Sequence, residues 1–280
     1  MHFPWDLDTK TSICEVSEAD YDAGRNKFMG AHLLEVFADS PRLCQWKMAG
    51  LLPTSDSPAL AFGRAAHKLI LEGEEAFRKS YEVADGPINE RTGAPFGTDT
   101  KAYLTWYKEV RATGREIISQ AQYDQLGLMM DSLSECPKAM EYLATGKPEV
   151  AIRGKLYGVQ CQSRLDWWNN EASVLLDLKT CDNIDSFSKD LFFRGYDRQM
   201  AFYRKMLQGT GTVGQVKVKV LAMEKKEPYR CGIFSLTPAT LDLAEATIMK
   251  RMGQFRHVQQ TYGTDPWPRS LVYGVVELDI

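Results

Sequence analysis

The rhythm of apolar and polar positions changes near residue 147. Ahead of it, helical spacing dominates. Residues 21–37 place Leu33, Leu34 and Phe37 on one side, as a 3.6-residue period requires. Asp39-Ser40-Pro41 reads as the N-cap and first turn of a second helix, since proline at N1 gives up an N–H that has no helical partner there anyway. Residues 58–73 carry an apolar stripe of Phe62, Ala66, Leu69 and Ile70, which Gly73 ends. Glycine and proline crowd residues 84–99 and predict a surface loop, long enough to be functional. Two more helices are expected over about 99–118 and 120–145.

After Gly146-Lys147-Pro148 the period falls to two. Residues 149–160 and 162–168 alternate as a hairpin about Tyr157-Gly158, and 174–179 form a short apolar strand. A helix over 185–208, strands over 215–223 and 231–236, and a helix over 238–259 complete the order β-β-β-α-β-β-α. Residues 1–20 form an irregular or short-strand lead-in. No repeat or linker divides the chain. The expectation is therefore one domain over 1–280: a helical part (about 20–146), a β-rich core (about 147–236) and a C-terminal helix (about 238–260). Its class is α/β, a central mixed sheet flanked by helices.

Composition adjusts this picture only slightly. With 280 residues, 44% of them hydrophobic, the chain can bury a substantial core. A net charge of −3 weighs against a passive DNA-coating protein. It leaves room for an acidic metal site beside a local basic groove. Six scattered cysteines without a CxxC pair argue against structural zinc or iron–sulfur and for reduced thiols. The first twelve residues lack the basic-then-apolar order of a secretory signal, and no stretch reaches the ~20 apolar residues of a membrane span. A soluble cytoplasmic protein is expected.

The chemistry concentrates between Arg164 and Lys179. Asp166 ends one strand, and Asp177 interrupts the next, with Lys179 two positions on. Residues i and i+2 of a strand share a face, so Asp177 and Lys179 project together while Leu176 and Leu178 turn into the core. A hairpin-type connection can bring Asp166 beside Asp177. Two converging carboxylates repel unless a cation lies between them, and a hard divalent ion suits oxygen ligands. Such a trio matches phosphodiester hydrolysis, although Asp-x-Lys alone recurs by chance. Gln199 and Tyr203 share one face of the following helix, where they can reach the same edge. His67 lies on the helix over 58–73, and Glu149 opens the β region. By itself the histidine is more often structural than a ligand, and the glutamate reads equally well as a solvated strand-end residue.

These features occur in a characteristic order. Ser40-Pro41 is followed by Ala61-Phe62-Gly63, Ala65, His67, Leu69 and Leu71-Glu72. Then come Glu149, Gly158, Arg164-x-Asp166, Asp177-Leu178-Lys179-Thr180, and Tyr196 with Gln199 and Tyr203. The set resembles the RecE-type branch of the PD-(D/E)XK nuclease superfamily, the phage and prophage recombination exonucleases related in fold to lambda exonuclease. Leucine, Leu165, stands at the nominal proline of that signature. The resemblance implies a restriction-endonuclease-like core and a Mg²⁺ site, with Mn²⁺ as substitute. Asp166, Asp177, the Leu178 carbonyl and His67 would be its ligands. It implies Lys179 as catalytic lysine, Glu149 supporting the metal or its water, and Gln199 and Tyr203 arranging the site. It further implies 5′→3′ degradation of linear duplex DNA to a 3′ single strand. The enzyme would act as a ring-shaped homo-oligomer (trimer or tetramer) beside a single-strand annealing protein.

Residues placed to contact DNA are Ser40, Arg42, Arg64 and Arg164, with Lys68 nearby, because phosphate contacts come from such side chains and from helix N-termini. Trp167-Trp168 reads better as core than as a base-stacking pair. The alternatives are a RecB- or Cas4-like nuclease, whose iron–sulfur members need a cysteine cluster, and a non-catalytic DNA-binding scaffold of the same fold. The glycines at 209, 211 and 214 follow a helix and precede no Gly-Lys-Ser/Thr, so they read as a terminator and turn.

Overall fold

The computed structural model describes residues 11–52, 57–212 and 214–271. The helical first half contains β1 (Ser12–Cys14), α1 (Glu18–Ala23), α2 (Ala31–Asp39), α3 (Pro41–Met48) and α4 (Pro58–Ser80). After them come β2 (Tyr81–Val83), β3 (Ile88–Asn89), β4 (Ala94–Pro95), α5 (Lys101–Ala112), β5 (Glu116–Ile118), α6 (Gln120–Ser134) and α7 (Pro137–Leu143). The second half runs β6 (Lys147–Leu156), β7 (Val159–Asn169), β8 (Val174–Cys181), α8 (Phe187–Phe193) and α9 (Tyr196–Gly209). It finishes with β9 (Lys217–Glu224), β10 (Cys231–Leu236) and α10 (Pro238–Tyr262).

The predicted hairpin is present. Tyr157 and Gly158 both take positive φ (50° and 81°), the conformation with which a two-residue turn matches the strand twist. The main sheet has the order β1-β6-β7-β8-β9-β10, antiparallel throughout except for the parallel pair β8–β9. That pair requires a crossover, supplied by α8 and α9.

Side-chain alternation along the strands builds a core on each face of the sheet. Leu175 and Val220 pack with Phe37, Phe202 and Phe255 of α2, α9 and α10. Leu176, Leu178 and Leu221 pack with Phe62, Leu69, Leu126 and Met129 of α4 and α6. Leu176 and Leu178 therefore face the core opposite Asp177, as the two-residue period requires. Trp167 and Trp168 are buried, and the Trp167 indole donates to the carbonyls of Tyr142 and Thr145, so this pair is core.

Several helices are shorter than the periodicity implied, each for a local reason. The stretch 21–37 is split between α1 and α2, and Met29 between them bridges to Cys161 of the sheet. Gly73 (φ 85°) kinks α4 without ending it. The helix expected over 99–118 stops at Ala112, beyond which Gly114 (φ 84°) turns the chain into β5, paired with β2. Pro137 starts α7 and breaks 120–145 in two. Gly195, left-handed at φ 74°, separates α8 from α9 within 185–208. The loop over 84–99 contains the β3–β4 ladder. All six cysteines are free thiols. Among the described residues no helix is long and apolar enough to cross a membrane. The reading of residues 1–10 lies outside the described residues.

Phe37 is fully buried, edge-on to both Phe255 and Trp267. Phe37→Ala should lower unfolding free energy by about 3–5 kcal/mol in urea denaturation. A loss below about 1 kcal/mol would mean that α2 does not clamp α10 to the sheet.

Candidate metal and catalytic site

The site forms where β7 and β8 part company. Their ladder pairs Asn169 with Val174, Trp168 with Leu175 and Trp167 with Leu176, and ends there. The next positions in register are Asp166 and Asp177. Past that point β8 pairs only with β9, and the Leu178 N–H, released on the β7 side, donates to Asp166 Oδ2 at 2.9 Å. The splay thus places two carboxylates side by side and gives one of them a backbone donor.

On its other flank Asp166 faces Glu149 of β6. The β6–β7 register steps from Pro148–Trp167 to Val150–Leu165, passing over Glu149 and Asp166. Glu149 there holds a φ of 54°, a left-handed conformation costly for a residue with a Cβ. This distortion turns its carboxylate toward Asp166. From α4 comes His67, whose Nδ1 lies 3.4 Å from Asp166 Oδ2. Gly63, one turn earlier, lies next to Thr180 of β8. One ligand atom each from His67, Glu149 and Asp166 lie within 4.8 Å of one another.

Asp177 is fully buried and faces Lys179, whose Nζ lies 2.6 Å from Asp177 Oδ2. The Gln199 amide donates to Asp177 Oδ1 at 3.3 Å and to the Tyr203 hydroxyl at 3.0 Å, so the i, i+4 pair on α9 reaches the site. The Lys179 ammonium also lies 4.9 Å from the centre of the Tyr196 ring.

The electrostatics follow from burial. Burial lifts the Glu149 carboxyl to about 7, with Asp166 and Glu72 adding to it and Arg164 opposing. Burial also lifts Asp177 to about 6, reinforced by Asp166 and resisted by Lys179. Asp166 is raised for the same first reason. Burial lowers His67 to about 4, helped by the Lys179 charge, so the ring is neutral at pH 7. Burial alone would lower Lys179, but Asp177 and Asp166 outweigh it and hold the ammonium above its ordinary range.

Of the residues placed at DNA, only Arg164 borders the cluster directly, with Nε 2.7 Å from Glu149 Oε2. Arg64 is on α4 but pairs with Glu116 at 3.1 Å. Ser40 and Arg42 lie elsewhere: the Ser40 hydroxyl caps α3 through the Leu43 N–H, and Arg42 donates to the Trp267 carbonyl. Asp177 lies outside the three-residue donor group, and the Leu178 backbone meets both Asp166 and His67. Three rim residues received no role from the sequence. Glu18 pairs with Lys68 and Arg164, Glu72 pairs with Lys68, and Tyr21 lies under Arg164. Glu72 and Tyr196 stood within the recognised motifs, whereas α1 offered no signal.

The donor set suits a divalent cation. Two half-buried carboxylates and a neutral imidazole converge, and burial pushes both carboxyls toward their neutral forms, a cost that a bound cation would offset. With this geometry the comparisons agree. Residues 32–269 match the family model described as "PDDEXK-like domain of unknown function (DUF3799)". The chain belongs to that PDDEXK-like family. The crystal structure of a "Putative exonuclease" from Eubacterium rectale superposes with a TM-score of 0.65 over 95% of this chain and 96% of the other. At 16% identity that likeness concerns the fold. No curated protein matches.

Glu149 titrates near 4.5 when unfolded and near 7 when folded. The folded state then holds more protons between those values, so this residue's contribution to stability falls as pH rises from 4.5 to 7. His67, lowered from 6.5 to about 4, acts in the opposite sense over its own window. Glu149→Gln removes only the first effect. In chelator, its urea stability should gain on wild type from pH 4.5 to 7 and keep a constant lead above. A lead that shrinks with rising pH would contradict the assignment.

Proposed function

We propose that this protein is a divalent-metal-dependent deoxyribonuclease that degrades linear duplex DNA from 5′ ends, leaving a 3′ single strand for recombination. The observation that carries the proposal is the pairing of Asp166 with Asp177 at the β7–β8 splay, with the Lys179 ammonium on one side and His67 and Glu149 on the other.

In this reading Asp166, Glu149 and His67 hold Mg²⁺, or Mn²⁺ in its place, and Asp177 and the Leu178 carbonyl lie next to them. Such an ion supplies Lewis acidity toward a phosphodiester and makes water more acidic. The protein's own residues do the rest. Asp177, fixed by Gln199, orients the Lys179 ammonium. Because its two carboxylate neighbours keep Lys179 protonated at neutral pH, it serves as a fixed cation for the charge developing on a phosphate, not as a proton acceptor. Tyr203, partly buried and raised well above its ordinary titration range, stays neutral, and its hydroxyl accepts from the Gln199 amide and holds it in place. Arg164 sits where a phosphate next to the cluster would meet it. The 5′ polarity, the ring-shaped homo-oligomer and the annealing partner rest on the RecE-type resemblance.

End-labelled linear duplex should be degraded in Mg²⁺, with label released from 5′ ends first and closed circular DNA left intact. Asp177→Asn and Lys179→Ala should each lower the rate by about 10²-fold or more while circular dichroism stays native. Wild type that cuts no DNA in Mg²⁺ or Mn²⁺ would overturn the proposal, and label lost first from 3′ ends would overturn the polarity.

A further inference from the structure

The helix α5 presents two unlike sides. Tyr103, Trp106 and Val110, at i, i+3 and i+7, face the protein. Val110 is buried, and the Tyr103 ring closes on Gly86, where an added Cβ would lie 2.8 Å from it. The opposite side is exposed and cationic. Lys101, Lys108 and Arg111 fall within about 80° of one another around the helix, and the exposed Leu104 and Tyr107 extend that side. Glu109, the acidic residue of α5, lies roughly 100° from Lys108. Among the described residues no carboxylate pairs with Lys101, Lys108 or Arg111, and the Arg111 guanidinium donates only to the Arg115 carbonyl.

A charged exposed helix is ordinarily just a solvated face. The position of α5 says more. It runs directly into β5, whose Glu116 pairs with Arg64, one turn from His67 on α4. Tyr81, opposite Glu116 in the β2–β5 ladder, feels the charges of Glu116, Arg64 and Glu18. Glu18 in turn reaches Lys68 and Arg164 at the rim of the carboxylate cluster. The C-terminal end of α5 therefore leads, through β5 and its Glu116–Arg64 pair, toward that rim. Twelve residues span about 18 Å, the length of about five base pairs at 3.4 Å each. On a chain of net charge −3, a row of cations without a carboxylate partner among the described residues is matched by charge to an external polyanion.

We infer that the exposed side of α5, through Lys101, Lys108 and Arg111, is a phosphate-backbone surface that holds the double-stranded body of a DNA substrate while its end lies at Asp166 and Asp177. The contact is with phosphates and is independent of sequence. This inference rests on the nuclease reading, but binding can be measured without cutting.

The test uses the full chain in EDTA, a fluorescent duplex of about 30 base pairs and anisotropy across a salt series, about six of those pairs exceeding the span of α5. The variant is the triple Lys101→Ala, Lys108→Ala, Arg111→Ala. A second, Lys108→Glu, serves should the triple fail to fold. Loss of three phosphate contacts should weaken binding by about tenfold or more at low salt and flatten the slope of log K against log salt by roughly 2–3. With Mn²⁺, hydrolysis of bis(p-nitrophenyl) phosphate, which is too small to reach α5, should match wild type. Duplex affinity and salt slope equal to wild type in the triple, or in Lys108→Glu where only that variant folds, would overturn the inference. So would a wild type that binds no duplex. A wild type that binds duplex through α5 but hydrolyses neither DNA nor the small diester would instead overturn the nuclease reading and leave the surface standing.

Discussion

The structure depends on one unfavourable contact: two aspartates side by side, Asp177 fully buried and Asp166 largely so. Asp166 and Asp177 occupy the first position at which the β7–β8 ladder fails, and a third carboxylate, Glu149, closes on Asp166 from β6. Each is pushed toward its protonated form, and each is held regardless by something rigid. For Asp166 it is the Leu178 N–H, for Asp177 it is Lys179 and Gln199, and for Glu149 it is Arg164 and a strained backbone. A cluster held against this much repulsion would gain stability on binding a divalent cation, which would tie folding energetics to metal occupancy.

The rest of the fold supplies the stiffness that this contact needs. Leu176 and Leu178, locked into one core, and Leu175, locked into the other, leave the Asp177–Lys179 face no freedom to rotate. The crossover through α8 and α9, turned at Gly195, brings Gln199, Tyr203 and Tyr196 back over the same strand. Helix α4 brings His67 to the opposite flank, and the Gly73 kink steers the chain onward into β2 and the α5 region. The site therefore draws on both layers of helices and on the centre of the sheet.

Much of this was legible in the sequence. The two-residue period of Asp177 and Lys179, the turn residues Tyr157-Gly158, and the helical spacing of Gln199 and Tyr203 are local rules, and the structure obeys them. The convergence of His67 and Glu149 on Asp166 was legible only through family order, because nothing local distinguishes a ligand histidine from a core one. What escaped was tertiary. The left-handed Glu149, the rim formed by Glu18 and Tyr21 of α1, and the anchoring of Arg42 to the Trp267 carbonyl arise from contacts between segments far apart in the chain. Helix ends at Ala112 and Ser134 were misjudged for another reason: Gly114 and Pro137 interrupt apolar spacing that otherwise continues.

The most direct measurement is anomalous X-ray scattering from crystals grown in Mn²⁺, collected at the manganese edge. The account predicts a peak touching the Asp166 carboxylate, between His67 and Glu149, with Lys179 still on Asp177. Crystals saturated with Mn²⁺ that show no peak there, while Asp166 and Asp177 remain side by side, would contradict it.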